Sequence, residues 1–382
     1  MTIASLFSTE LIALLQKIEE LGFQLCLVGG APRDYLLDRT FLSQDLDFEL
    51  RGKWISELKD FLKNQKINFT ELPYEIIRVD FEGYDLEFST PRTEVTIPGN
   101  ASHHHFRAEL DPSLTYAGSF KRRDFTMNAV GIELNLKNKT ETIVDPYEGV
   151  KALMSKTLKE VSPDFFLDSV RFLRLIRFMI KYNFEMSGSI EAKLGTFDLS
   201  ELSVHHFTEE MMKSKKPGIF INAFNNLVGA YGLNVPLNFN FWRTLKFLPD
   251  IENKDDLLVD SFLQNESAGH EVAKFFSMPE SRLKNLKSFH ESINNIKKVS
   301  RDELIEMSKI PLEKIPDISV LKDLKNLEEK KEWRVYSNDA LLVSWSDWEN
   351  IKVDASEIEA TPVELRSYIR YHKALKKVFG NA

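Results

Sequence analysis

Apolar positions change their spacing along this chain. The opening MTIASLFSTELIALLQKIEEL reads as an amphipathic helix. The apolar run Phe23–Val28 follows, then Gly29-Gly30, then a short helix whose first turn holds Pro32, where no intrahelical N–H bond is lost. Strand, tight glycine turn, helix is the local prediction. Asp45–Leu50 (DLDFEL) alternates with period two. Glu75–Phe81 and Tyr84–Phe88 are β-like runs split by Glu82-Gly83, a hairpin signal, and these strands are expected to share one sheet.

Residues 91–119 are polar and turn-rich, long enough to predict a functional or mobile loop. From Asp164, the spacing of Phe165, Phe166, Val170, Leu173, Ile176 and Ile180 predicts one long buried helix with Arg171, Arg174 and Arg177 on one side. Beyond residue 185 the pattern is helical, punctuated at Pro217-Gly218, Pro236, Pro279, Pro311, Pro316 and Pro362, with no fixed-period repeat. The expected fold class is therefore α+β: a mixed sheet with flanking helices over the first 150 residues, then an all-helical remainder.

Composition narrows the function classes. The 382 residues carry 50 Lys+Arg against 58 Asp+Glu, a formal net charge of −8, which excludes a polybasic nucleic-acid coat. No uncharged apolar run reaches the ~18–20 residues of a membrane helix. The N-terminus lacks the basic region and cleavage site of a secretory signal. A single cysteine, Cys26, forms no internal disulfide and no Cys-based zinc site, so it is expected to pack in a core and the protein to work in the cytoplasm.

Acidic spacing supplies the candidate chemistry. Asp45 and Asp47 sit two apart on a strand, so both carboxylates leave the same face and suit one or two divalent cations; a solvent-facing strand edge is the bland alternative. The Gly29-Gly30 turn upstream offers backbone N–H groups to phosphate oxygens, without the GK[ST] of a P-loop. Glu87 lies on a later run that would place a third acid beside the first two. Asp168 and Arg171, at i and i+3, share a helix face in this reading, either as a surface ion bridge or as a polar pair for recognition. His103–His105 are consecutive, do not converge easily on one ion, and read as a solvated segment.

In order, LVGGAPRDYLL, QDLDFEL, LEFSTPRTE, KRRDFTMNAVGIEL, VDPYEG and FFLDSVRFLRLIRF resemble the class II tRNA nucleotidyltransferase (CCA-adding enzyme) and poly(A) polymerase family across residues 27–178. The resemblance implies a nucleotidyltransferase head over 1–150, a helical neck with a base-selecting helix over 151–218, and a helical body and tail for RNA over 219–382. It implies Mg2+ held by Asp45, Asp47 and Glu87 as the catalytic acids. It assigns Gly29, Gly30 and Arg33 to the triphosphate, Arg123, Asp124 and Asn128 to ribose and phosphates, and Asp168 and Arg171 to the base edge, with Arg174 and Arg177 also facing the nucleotide.

The implied reaction is template-independent addition of CTP and ATP to the 3′ end of tRNA with release of pyrophosphate. A CC-adding or A-adding variant, a poly(A) polymerase and a catalytically silent RNA-binding module remain alternatives. Leu167 stands where the family carries Glu, which leaves the choice between C and A open. RNA contact would come from local basic groups: Lys213, Lys215 and Lys216; Arg282, Lys284 and Lys287; and Arg366, Arg370, Lys373, Lys376 and Lys377. Oligomeric state is not legible.

Overall fold

Helix α1 (Thr9–Glu20) starts where Ser8 caps it, the hydroxyl accepting from Leu11 N. The computed structural model describes residues 2–40, 43–96, 106–247, 251, 253–279, 288, 291–292, 295–296, 298–328 and 351–379. Strand β1 (Gln24–Val28) leads through Gly29 into α2 (Gly30–Leu37); β2 (Asp45–Arg51), α3 (Ile55–Asn64), β3 (Thr70–Leu72), β4 (Ile76–Phe81) and β5 (Tyr84–Ser89) follow. Glu82 and Gly83 both take positive φ, 51° and 80°, the pairing a two-residue hairpin turn requires.

After these come β6 (Arg92–Thr96), β7 (Phe106–Leu110), α4 (Tyr116–Phe120), β8 (Gly131–Asn135) and β9 (Thr140–Val144). The expected sheet is present with seven strands in the order β3-β4-β5-β2-β1-β8-β9. It is mixed, because β2 runs antiparallel to β1 and parallel to β5.

Strand alternation divides the sheet into two faces. Leu25, Leu27, Leu46, Phe48, Leu50, Ile77, Val79, Leu86 and Phe88 point to one side and are fully buried. They join Leu11, Leu14, Leu15 and Ile18 of α1 and Ile55, Leu58 and Leu62 of α3 in one core. The other face carries Cys26, Val28, Phe120 and Ala129 as a small apolar cluster. On β2 it carries the acidic residues of DLDFEL.

Among the described residues, the polar stretch after Pro91 contains two strands that the loop expectation left out. Arg92–Thr96 and Phe106–Leu110 pair antiparallel as a hairpin, with Glu94 opposite Ala108. The alternation in RTEVT and FRAEL makes this strand possible; turn residues mask it in a composition reading. His103–His105 lie outside the described residues.

The helical part begins with α5 (Gly149–Met154), followed by β10 (Thr157–Leu158), α6 (Ser169–Tyr182), β11 (Glu185–Met186), α7 (Gly188–Lys193), α8 (Val204–Lys213) and α9 (Pro217–Ala230). The long helix expected from Asp164 is two pieces: a 3-10 turn at Pro163–Leu167, then α6. The break falls at Asp168, whose φ of −118° and ψ of 110° are extended and whose carboxylate caps Val170 N at 2.8 Å. Phe125 locks this region, edge-on to Phe165 at 5.1 Å and to Phe178 at 5.5 Å.

The chain divides into two compact units, Met1–Ser214 with Ala223–Pro236, and Lys215–Asn222 with Leu237–Ala382. The second contains α10 (Lys254–Gln264), α11 (Glu266–Phe275), α12 (Arg301–Lys309), α13 (Ser319–Glu328), α14 (Ala355–Ala360) and α15 (Ile369–Phe379). Leu304, Leu321, Leu324, Ile369, Ala374 and Leu375 form a core there. Among the described residues no helix is long and apolar enough to cross a membrane.

Candidate active site

The site grows out of β2. Its residues 45, 47, 49 and 51 share one face, and burial deepens along it: Asp45 is exposed, Asp47 half-buried, Glu49 and Arg51 buried. In the parallel register Asp47 sits directly beside Glu87, and Asp45 beside Asp85. Burial and then the neighbouring Glu87 push the Asp47 carboxyl up to about 6, with Asp45 adding to the rise and Arg123 opposing it.

Gly29 sets the floor. A Cβ there would lie 2.3 Å from Asp47 Oδ2, and its φ of +79° is one that side chains rarely adopt. Only glycine lets the chain turn into α2 against that carboxylate. Gly29→Ala is expected to cost at least about 1–3 kcal/mol of stability from backbone strain alone, before the clash is counted. Chemical denaturation checks this, and an unchanged midpoint would show that the turn has room to spare.

Arg33 is buried under the glycine turn. Its Nε and Nη2 donate to Asp34 Oδ1 and Oδ2 at 2.7 and 3.0 Å, and Nη1 donates to Asn128 Oδ1 at 2.7 Å. Its guanidinium lies 5.0 Å from the Tyr182 ring centroid, and the Tyr182 hydroxyl donates to Asp34 at 2.9 Å. Asn128 Nδ2 donates to Asp124 Oδ1 at 2.9 Å, and Arg174 Nε to Asp124 Oδ2 at 2.5 Å. Burial raises the Asp124 carboxyl, but Arg174, Asn128 and the Phe125 N–H overrule it and hold it down at about 2. One chain of polar contacts thus runs Tyr182, Asp34, Arg33, Asn128, Asp124, Arg174 and ties α2 to α6.

The expected residues therefore separate into two groups. Asp45, Asp47, Glu87 and the glycine turn come together, and Arg123 is close enough to bias Asp47. Arg123 Nε is buried with no hydrogen-bond partner among the described residues, an orphaned donor that suits an anionic ligand. Asp124, Asn128, Arg33 and Arg174 instead bind one another as a frame. Arg177 pairs with Glu210, so the three α6 arginines do not present one shared basic face. Asp168 and Arg171 do meet as an i,i+3 ion pair, Arg171 Nε lying 3.7 Å from the carboxylate, with the acid at the cap of α6 rather than inside the helix.

The acids fit a divalent cation by chemistry, being hard oxygen donors, two of them on adjoining registered positions. Among the described residues, however, no three His, Cys, Asp or Glu already converge closely enough to hold a metal ion.

Sequence reading missed a second buried polar group. Arg51 Nη2 donates to Glu49 Oε1 at 2.5 Å and to Ser119 Oγ at 2.9 Å, with its guanidinium 3.7 Å from the Tyr116 ring centroid. The signal was in DLDFELR: the acidic series continues to 49, where the strand is buried, and demands a cation. Asp34 and Tyr182, which hold Arg33, were also missed; they are far apart in sequence.

In the second unit, Lys373 Nζ donates to Lys352 O at 2.9 Å and pairs with Glu357, while Arg366 Nε donates to Thr361 O at 3.0 Å. These basic groups are partly engaged within their own unit. In the first unit Lys213 pairs with Glu209 at 2.6 Å. Arg282, Lys284 and Lys287 lie outside the described residues.

Residues 25–159 match the family described as the poly A polymerase head domain. The match covers 135 of the 382 residues, so it is this segment that is similar to such a head. Similar proteins in sequence, and solved structures of similar fold, include CCA-adding enzymes. A CCA-adding enzyme of Listeria monocytogenes serotype 4b is 30% identical over 212 residues, covering 54% of this chain and 50% of that protein. An A-adding tRNA nucleotidyltransferase of Aquifex aeolicus is 32% identical over 170 residues, 44% of this chain and 20% of that protein. The solved CCA-adding enzyme of Thermotoga maritima, complexed with tRNA, superposes with a TM-score of 0.57 at 15% identity, covering 99% of this chain and 94% of the other. At that identity the superposition speaks for the fold alone: a mixed-sheet head followed by a mostly helical remainder. The chain spans about half the length of the Listeria relative it matches.

Proposed function

We propose that this chain is a template-independent tRNA nucleotidyltransferase that builds or completes the 3′-terminal CCA from CTP and ATP. The observation that carries the reading is Asp47 seated beside Glu87 against Gly29, its carboxyl pushed up to about 6 by burial and by Glu87. The RNA 3′ oxygen attacks the α-phosphorus of a nucleoside triphosphate, the bond to the β-phosphate oxygen breaks, and pyrophosphate leaves. Asp45, Asp47 and Glu87 would hold magnesium, which when bound lowers the pKa of the attacking hydroxyl and neutralises the leaving group.

The other residues bind and orient. Backbone N–H groups at Gly29 and Gly30 face the triphosphate at the start of α2, and Arg123 supplies its unspent Nε. Arg33, Asp124, Asn128 and Arg174 act by keeping the glycine turn and α6 in fixed relation rather than by spending all their donors on ligand. Asp168 and Arg171 read the base: a carboxylate accepts from the exocyclic amine of C or A, whereas U and G offer a carbonyl there. Rejection of UTP by about tenfold to a hundredfold follows from a well-placed polar pair.

The relative from Aquifex favours a second reading, in which the chain adds only the terminal A. One assay separates them. Transcripts of tRNA ending before CCA, after C and after CC are each offered CTP, ATP, UTP and GTP singly with magnesium. Incorporation of C and of A on the matching ends supports the full activity. A alone on the CC end supports the restricted one, and a long A tract supports a poly(A) polymerase. No product on any end, with no pyrophosphate, overturns the transferase reading in favour of a silent RNA-binding module.

A further inference from the structure

We propose that Glu94 is a positioning residue for Arg171, acting through Arg122, and that it thereby governs how strictly the site reads an incoming base. The consequence for the base rests on the function proposed above; the positioning itself rests on contacts alone. From its own helix Arg171 receives only a long ion pair, at the cap residue Asp168. Asp168 commits Oδ1 to Val170 N at 2.8 Å and stands 3.7 Å from Arg171 Nε. Leu167, the preceding side chain, is 68% exposed and has no acceptor to offer.

What fixes the guanidinium is Nη2, which donates to the main-chain carbonyl of Arg122 at 2.8 Å. Its Nη1 is buried with no hydrogen-bond partner among the described residues and remains available to a ligand. A main-chain carbonyl lies where its residue is anchored, and Arg122 is anchored by Glu94. Arg122 Nη1 is 3.6 Å from Glu94 Oε1, and the same oxygen accepts from Arg92 Nε at 3.2 Å. Both side chains are about one-fifth exposed, 21% for Arg122 and 20% for Glu94, so the pair is sheltered from screening.

The charge balance there is one-sided. Burial, then Arg123 and Arg92, press the Arg122 guanidinium down to about 10, and Glu94 and Glu49 oppose them. Removing the Glu94 charge leaves Arg92, Arg122 and Arg123 countered there by Glu49, at the point from which Arg171 is held. Glu94 itself is held on the β6–β7 hairpin, opposite Ala108.

The test uses the full chain with Glu94→Gln and Glu94→Asp. Phenylglyoxal modification of Arg171, followed by peptide mass spectrometry, reads its freedom without reference to activity. Equilibrium binding of CTP, ATP and UTP reads base discrimination. Glu94→Gln is expected to raise the labelling rate of Arg171 severalfold and to shrink the CTP over UTP preference by about tenfold. Glu94→Asp, which keeps the charge, should lie between it and the parent. In an Arg171→Lys background Glu94→Gln should have no further effect on the preference. Unchanged labelling of a folded Glu94→Gln protein overturns the proposal, as does an undiminished nucleotide preference. Raised labelling in a protein whose parent binds no nucleotide upholds the positioning and sinks the transferase reading instead.

Discussion

Asp47→Asn is expected to lower nucleotide incorporation about a thousandfold or more, the equivalent of about 4 kcal/mol of transition-state stabilisation. The substitution keeps the shape, removes the charge and turns one acceptor oxygen into an NH2 donor. In the parent that charge is costly: Asp47 is half-buried beside Glu87, and its carboxyl is pushed up to about 6. The apo variant should therefore be at least as stable as the parent at pH 7.5. A group kept by a fold at its own expense is kept for a partner the fold does not contain. Urea denaturation and the tRNA extension assay, run on the same preparation, measure both quantities. A variant that loses activity because it unfolds would remove the argument, and one that retains a tenth of parental activity would remove Asp47 from the chemistry.

Local signals carried far in this protein because the sheet is built from local signals. DLDFEL alternates, and alternation alone puts Asp45 and Asp47 on one face; Glu82-Gly83 marks the β4–β5 turn, and the turn delivers Glu87 to the register where it meets Asp47. Gly29 was legible as a tight turn, although not that a carboxylate fills the space its missing side chain leaves. The frame around Arg33 was not legible. Asp34 is its sequence neighbour, but Tyr182 lies 148 residues from Asp34, and no periodicity encodes such a meeting. The break at Asp168 was hidden for a different reason. Apolar residues on both sides continue the helical spacing, and the burial pattern overrode a capping signal that an Asp before Ser-Val offers. Residue pairing across elements therefore needed coordinates, whereas the face on which each acid sits did not.

Asp124→Asn should destabilise the protein by about 3 kcal/mol at neutral pH, since breaking a buried ion pair strands the remaining charge. Arg174 would lose the carboxylate at 2.5 Å, and an amide NH2 in its place would meet either Arg174 Nε or Asn128 Nδ2, donor against donor. The effect depends on pH with a definite sign. The folded carboxyl is held at about 2, below its ordinary 3.8, so its stabilisation is fully present above pH 3.8 and is lost as pH falls through about 2. That share is about 2 kcal/mol. The gap between parent and variant should accordingly be constant from pH 7 to pH 5 and narrow between pH 4 and pH 2. Denaturant titrations at those values read it directly. A gap that stays open at pH 2 would mean that packing, not charge, ties Asp124 to α6, and the polar chain from Tyr182 to Arg174 would then be an accessory of the fold rather than what fixes the glycine turn against the helix.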